Sequence, residues 1–310
     1  MDKESQNTRE EHYKHLFKDA KTIEPLDSEM LIVVPTLGRE DNQRVFNQLP
    51  PELKKVCRLA TKESHVEKLR KHNPDAEILV LPEDTDGIAQ TRQRCIDLLP
   101  KGKVWMVDDL VKFQTRDENL KVLGWATHDE IRETYGAIWR MLDHYVQVGL
   151  SSRPGNDKRP VYKSDCSRVY TCYGLRTDIL ESLNIRFDDM YNEDNDIKFF
   201  EDFYVNLSLI TKGYPNTLLN EYIAEHSHNK KGGNSLIRTN ELQAKSAQVL
   251  HSKFPDFVKL KVVEGCWGGE MTNRTDVTIQ WKKAFNADNK ESEPIKQKSK
   301  QDKPKNNLLF

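Results

Sequence analysis

Asp108 and Asp109 close the apolar run KVWMVDDL, residues 103–110. Val104, Trp105, Met106 and Val107 follow one another without polar relief, as in a strand buried on both faces. Two carboxylates ending such a strand repel each other and resist burial unless a cation lies beside them. Oxygen ligands suit Mg²⁺ or Mn²⁺, an ion commonly shared with a phosphate. A solvated Asp-Asp turn is the competing reading. A second acidic pair, Glu201 and Asp202, sits among Phe199, Phe200, Phe203 and Tyr204. An apolar surround raises a carboxyl pKa and prepares the group to take a proton from a hydroxyl. Acids that complement the dipole of a helix start are the alternative there. His226 and His228, in EYIAEHSHNKKGG at 221–233, fall on one side of the chain if it is extended. Lys230, Lys231, Gly232 and Gly233 beyond them form a basic loop able to close over phosphates, or a plain surface loop.

Such residues need a frame to bring them together. MLIVVPTLGRED at 30–41 predicts a strand punctuated by Pro35, and VCRLAT at 56–61 a second strand followed by a helix over 63–72. EILVLPED at 77–84 reads as a third strand, GIAQTRQRCIDLLP at 87–100 as a helix between Gly87 and Pro100, and 103–107 as a fourth strand. This alternation implies right-handed βαβ units in a mostly parallel sheet, where ligands collect at the carboxyl ends of strands. Thr36, Arg39, Asp84, Asp86, Asp108 and Asp109 all fall at those ends. In the 87–100 helix Gln90 and Arg94 share a face, and Gly87 lets a ligand approach free backbone N–H groups.

The second half reads differently. Apolar residues at helical spacing predict a helix over 128–148, followed by a loop at 152–160, a strand, turn and helix over 167–187, and a helix over 199–215 ending at Gly213 and Pro215. Arg153, Lys158, Arg159, Lys163 and Arg168, interleaved with Tyr162, Tyr170 and Tyr173, suit DNA phosphates and an extruded base, or a solvated charged face. The acidic run at 188–196 reads as a solvated loop.

Composition bounds these readings. With 310 residues and 36% hydrophobic content the chain can bury one substantial α/β core, and its net charge of −1 excludes a uniformly basic coat. No window has the roughly 18 apolar residues of a membrane span, and the polar start lacks a secretory apolar core. Five cysteines without a CxxC pair argue for reduced thiols in a cytoplasmic protein. The expected organisation is a polar lead-in at 1–28, one domain at 29–285 with halves meeting near 125, and a disordered tail at 286–310.

VVPTLGR, GIAQTRQRC, MVDDL, FFEDF and HSH, in that order over residues 30–230, resemble GT-A-type nucleotide-sugar glycosyltransferases. Within them the chain is most similar to the phage and kinetoplastid TET/JBP-associated glycosyltransferases, which act on hydroxymethylated pyrimidines in DNA. The resemblance implies a Rossmann-like GT-A fold, α/β, with a mixed, mostly parallel sheet flanked by helices. It implies Asp108 and Asp109 as a DxD-like motif for Mn²⁺ or Mg²⁺, here with adjacent acids, and His226 or His228 as a third ligand. Thr36, Arg39, Gly87, Gln90, Arg92, Arg94, Asp108 and Lys230 would face a nucleotide-sugar donor, a UDP-sugar foremost. Asp202, with Glu201 beside it, matches the xED segment that supplies the base in inverting members. The implied partner is DNA bearing hydroxymethylpyrimidine, in the host cytoplasm if the chain is phage-encoded.

A glycan acceptor, a catalytically silent binding module and a nucleotidyltransferase are the other readings. The last would want a fuller Gly-rich signature than VPTLGRED supplies. The terminal KPKNNLLF places Leu308, Leu309 and Phe310 on a polar tether and resembles peptides that dock phage polymerases on their sliding clamp; a chance apolar ending is the alternative.

Overall fold

Trp105 and Val107 on one side of the fourth strand, and Val104 and Met106 on the other, belong to two separate hydrophobic cores. That division places a sheet in the middle of the molecule with helices on both faces. A computed structural model of the chain describes residues 30–117, 121–152, 164–191, 197, 199–226, 238–264 and 273–287. Among them the first half runs β1 (Leu31–Pro35), α1 (Arg44–Gln48), α2 (Pro51–Lys55), β2 (Cys57–Lys62), α3 (Glu63–His72), β3 (Glu77–Leu81), α4 (Gly87–Leu98) and β4 (Lys103–Val107). The second half continues with β5 (Val111–Arg116), β6 (Val122–Trp125), α5 (His128–Met141), β7 (Gln147–Ser151), β8 (Ser164–Asp165), β9 (Cys172–Arg176), α6 (Thr177–Ser182), α7 (Glu201–Ile210) and β10 (Thr217–His226). It closes with α8 (Asn240–Lys253), β11 (Val258–Val263), β12 (Arg274–Ile279) and α9 (Trp281–Ala287).

The main sheet has the order β3-β2-β1-β4-β9-β7-β10-β5-β6, with β8 beside β10. β3, β2, β1 and β4 pair in parallel, as the strand–helix alternation predicts, and β7 and β10 are parallel to each other. β9 lies antiparallel between β4 and β7, and β5 antiparallel between β10 and β6. The sheet is therefore mixed, with most of its strands running in one direction. Its arrangement brings the carboxyl ends of β1, β4, β7 and β10 and the starts of β5 and β9 to one edge.

The predicted helix over 128–148 stops at Met141, and Gln147–Ser151 forms β7, buried throughout. Pairing with β9 and β10 makes it a strand. A Cβ at Gly149 would lie 2.7 Å from Leu218 Cδ2 and 2.8 Å from Val169 Cγ1, so the strand packs at a distance only glycine allows. Residues 240–287, which carry no chemical motif, fold as α8, the β11–β12 hairpin and α9. They pack on α7 around a third core containing Phe203, Leu207, Ala247, Leu250 and Val277.

Glu40 anchors the turn after β1. Its fully buried carboxylate accepts from His65 Nδ1 at 2.6 Å, Lys68 Nζ at 2.8 Å and the Gly38 N–H at 2.9 Å. Burial opposes the charge, but these donors outweigh it and hold the carboxyl at about 2, well below its ordinary value. Cys57, Cys95, Cys166 and Cys172 are buried. Among the described residues no helix is long and apolar enough to cross a membrane. His228, Lys230 and its loop, Arg153, Lys158, Arg159, Tyr162, Lys163 and Leu308–Leu309–Phe310 lie outside the described residues, as do the lead-in and residues 192–196.

Candidate active site

The two aspartates after β4 part company. Asp109 turns inward: Arg39 Nη1 donates to its Oδ1 at 3.0 Å and Oδ2 at 3.3 Å, and Thr36 Oγ1 donates to Oδ2 at 3.3 Å. Gln43 Nε2 in turn donates to Thr36 Oγ1 at 2.6 Å and to the Arg39 carbonyl at 2.8 Å. Burial pushes the Asp109 carboxyl up to about 6 against the pull of Arg39. Thr36, Arg39 and Asp109, expected at neighbouring strand ends, thus form one polar cluster with Gln43.

Asp108 faces the crevice with 21% of its side chain exposed. Its backbone N–H donates to the Thr171 carbonyl at 2.7 Å, which joins the end of β4 to the start of β9. Its Oδ1 accepts from Arg92 Nη2 at 2.9 Å, and its Oδ2 lies 4.0 Å from His226 Nε2. A divalent ion about 2.0–2.2 Å from each donor would fit that gap, leaving positions for phosphate oxygens and water. The fit extends to two protein ligands. Among the described residues no group of three or more His, Cys, Asp or Glu is arranged to hold an ion. Asp109 belongs to the neighbouring cluster rather than to this gap.

Arg92 is the hub. It projects from α4, almost wholly buried, over the Tyr173 ring at 5.6 Å, and its Nη1 donates to Glu201 Oε1 at 2.5 Å. Burial opposes the Arg92 charge, but Tyr173, Asp108 and Glu201 outweigh it, so its pKa rises. Burial likewise pushes the Glu201 carboxyl upward, against Arg92. Arg94, two residues along the helix, lies on the opposite side from Arg92 and is half-buried. Gln90 serves the helix itself, its Oε1 accepting from the Asp86 N–H at 2.8 Å. Gly87 has φ +69, which suits glycine at this sharp helix start. Asp84 and Asp86 lie exposed on the preceding loop.

Glu201 and Asp202 are the first two residues of α7 rather than interior to a longer helix, and both are buried. Phe200, their N-cap, holds φ +69, a left-handed conformation rare for a bulky residue. Asp202 Oδ2 accepts from Arg168 Nε and Nη2, each at 2.7 Å. The Arg168 guanidinium lies 4.2 Å over Tyr170 and 4.1 Å over Phe203, with 42% of its side chain exposed. Arg168, expected on DNA phosphate, is therefore also the partner of the expected base. Tyr173 is buried beneath Arg92, which removes it as a support for an extruded base.

Sequence reasoning missed the groups that fix this arrangement. Asn206 Oδ1 accepts from the Val169 N–H at 2.8 Å and from Asn216 Nδ2 at 2.7 Å, while its Nδ2 donates to the Val169 carbonyl at 3.0 Å. This buried pair ties α7 to the segment carrying Arg168. A polar residue inside VNLSLI was the available signal. Thr171, at φ +59 and accepting the Asp108 N–H on its carbonyl, had none.

Helices on both faces of a mixed sheet whose strands run mostly in one direction, with a polar crevice along its carboxyl edge, place the protein in the GT-A class of architecture. The chain belongs to the TET-associated glycosyltransferase family, whose model matches residues 30–233, more than half of its length. It is a glycosyltransferase. Beta-glucosyl-HMC-alpha-glucosyl-transferases of Enterobacteria phages T2 and T6 are each 25% identical to it over 198 and 200 residues, covering 60% of this chain and 68% of each relative. Similar solved structures include S. aureus TarS 1–349, with TM-score 0.42, 12% identity and coverage of 72% of this chain and 66% of that one. Another is the mannosyltransferase PcManGT from Pyrobaculum calidifontis in complex with GDP-Man and Mn²⁺, with TM-score 0.45, 14% identity and coverage of 79% and 70%.

Proposed function

We propose that this glycosyltransferase moves a sugar from a nucleotide-sugar donor, a UDP-sugar foremost, to a hydroxymethylated pyrimidine in DNA. The observation that carries the chemistry is the gap between Asp108 and His226, set beside the Arg92-linked carboxylate of Glu201. Mn²⁺ or Mg²⁺ held by Asp108 and His226 would supply positive charge for the diphosphate of the donor. Thr36, Arg39 and Asp109 bind and orient the nucleotide, and Arg92 keeps Asp108 and Glu201 in place. The acceptor is supported by the family and by the phage relatives, whose names specify glucosyl transfer to glucosylated hydroxymethylcytosine. The same relatives support action in a phage-infected host cytoplasm.

In the single-displacement form, the acceptor hydroxyl oxygen bonds to the sugar C1 as the C1–O(phosphate) bond breaks. The proton passes to Asp202, and the nucleoside diphosphate leaves with the bonding pair. Asp202 must first be released by Arg168, whose exposed half can swing outward. The bidentate hold of Arg168 on Asp202 also favours a second reading, transfer with retention and no base at Asp202, in keeping with the alpha-glucosyl transfer in the relatives' names. Incubation with a panel of nucleotide sugars, Mn²⁺ and hydroxymethylated DNA, followed by nucleoside mass spectrometry, tests the function. A nucleoside heavier by one sugar is expected, and its anomeric NMR signal separates inversion from retention. Donor consumption only with glycan acceptors would refute the DNA reading.

A further inference from the structure

Arg168 meets a buried acid with one side of its guanidinium and solvent with the other. Its Nε and Nη2 both donate to Asp202 Oδ2 at 2.7 Å, while 42% of the side chain is exposed. Among the described residues the N–H groups of Nη1 have no acceptor. The guanidinium lies over the Tyr170 and Phe203 rings, which hold it by their faces and compete for none of its hydrogen bonds. The backbone beneath is fixed. Val169 is held at its N–H and its carbonyl by Asn206, and Tyr170 Oη meets Ser152 Oγ at 2.8 Å. Movement is left to the Arg168 side chain alone.

This contact has a chemical consequence. A carboxylate oxygen has two lone-pair directions, and on Asp202 Oδ2 both are taken by Arg168. A carboxylate paired in this way is a weak base. We propose that Arg168 is a positioning residue that sets acceptor specificity: it keeps Asp202 from taking a proton until a phosphodiester of the acceptor strand draws the guanidinium away. The proposal rests on the DNA-acceptor and single-displacement readings above. A phosphodiester offers the paired oxygens that a guanidinium binds with parallel N–H groups, and a polyanion presents many of them close together. A neutral glycan offers none. A buried carboxylate that has lost its counter-charge draws a proton more strongly, so the base is ready only when the acceptor strand has arrived. The acceptor oxygen then bonds to the sugar C1, the C1–O(phosphate) pair leaves with the nucleoside diphosphate, and the proton goes to Asp202. With Arg168 in place, the same step with water as acceptor is suppressed and the donor stays intact.

The test follows UDP release by the full chain with UDP-glucose and Mn²⁺. A single-stranded oligonucleotide of ordinary bases supplies phosphodiesters without a hydroxymethyl group. Wild type should release UDP slowly with donor alone and roughly ten-fold faster with this oligonucleotide, water replacing the acceptor. Arg168→Gln should release UDP fast without DNA and gain nothing from the oligonucleotide. It should also bind the oligonucleotide with a salt dependence shallower by about one ion. A residue that merely held the fold would lose rate in both arms. Wild-type release that the oligonucleotide leaves unchanged would overturn the proposal, with no variant needed. Release with donor alone as fast as that of Arg168→Gln would overturn it too, because the diphosphate of the donor would then suffice to free Asp202. If hydroxymethylated DNA stays unmodified, or Asp202→Asn keeps kcat within about three-fold, the underlying reading falls and takes the role of Arg168 with it. If both of those readings stand while release is not stimulated, only the role of Arg168 is wrong.

Discussion

Arg92 and Glu201 stand on different helices, α4 and α7, yet their side chains meet at 2.5 Å inside the protein, and the other arm of Arg92 reaches Asp108 at 2.9 Å. One guanidinium thus spans the crevice and fixes the distance between the proposed metal-facing carboxylate and the acidic start of α7. Removing it leaves two acids facing each other in a poorly solvated site. Arg92→Ala should destabilise the fold by about 3–5 kcal/mol, the cost of breaking a buried pair from one side. Urea unfolding measures this. Arg92→Lys should rescue little, because an ammonium cannot replace the planar two-armed contact.

Asp202 and Arg168 give a test of the displacement mechanism. If Asp202 takes the acceptor proton, Asp202→Asn should lower kcat by about 10²–10⁴-fold while donor affinity is held. Rapid-quench turnover and calorimetric donor titration check the two halves separately. A kcat within about three-fold of wild type would transfer support to retention.

Asp108 should govern metal dependence. Chelation is expected to abolish transfer and Mn²⁺ or Mg²⁺ to restore it, while Asp108→Asn should cost about a hundred-fold or more even at saturating metal. His226→Ala should raise the Mn²⁺ concentration needed for half-maximal rate. Full activity in a chelator would remove the ion from the mechanism.

Glu40 sets an acid limit on stability. Its folded-state carboxyl lies at about 2 against an ordinary 4.5, so its contribution is fully present above about pH 4.5 and is lost as pH falls toward 2. That contribution is on the order of 3 kcal/mol. Glu40→Gln should lower stability at pH 7 and flatten the decline between pH 4.5 and 2, as read by denaturant melts across that range.

The parallel block was legible because β-branched and aliphatic runs such as LIVVP and KVWMV are buried on both faces, and only strands between helices bury residues that way. β7 was hidden because its apolar residues continued the helical spacing of α5, and only its pairing with β9 and β10 makes it a strand. The acids at 108, 109, 201 and 202 were visible as charges set in apolar sequence. Their partners were not. Arg92 and Arg94 look alike in a string of letters, and Arg168 looks like a surface cation until α7 packs beside it. Local propensity and hydrophobic period act over a few residues and so determined the strands, the helices and the positions of the acids. The pairing of Arg92 with Glu201 across 109 residues, and of Arg168 with Asp202 across 34, was decided only by tertiary packing, because ion-pair geometry depends on distances that close after the sheet and its helices have assembled.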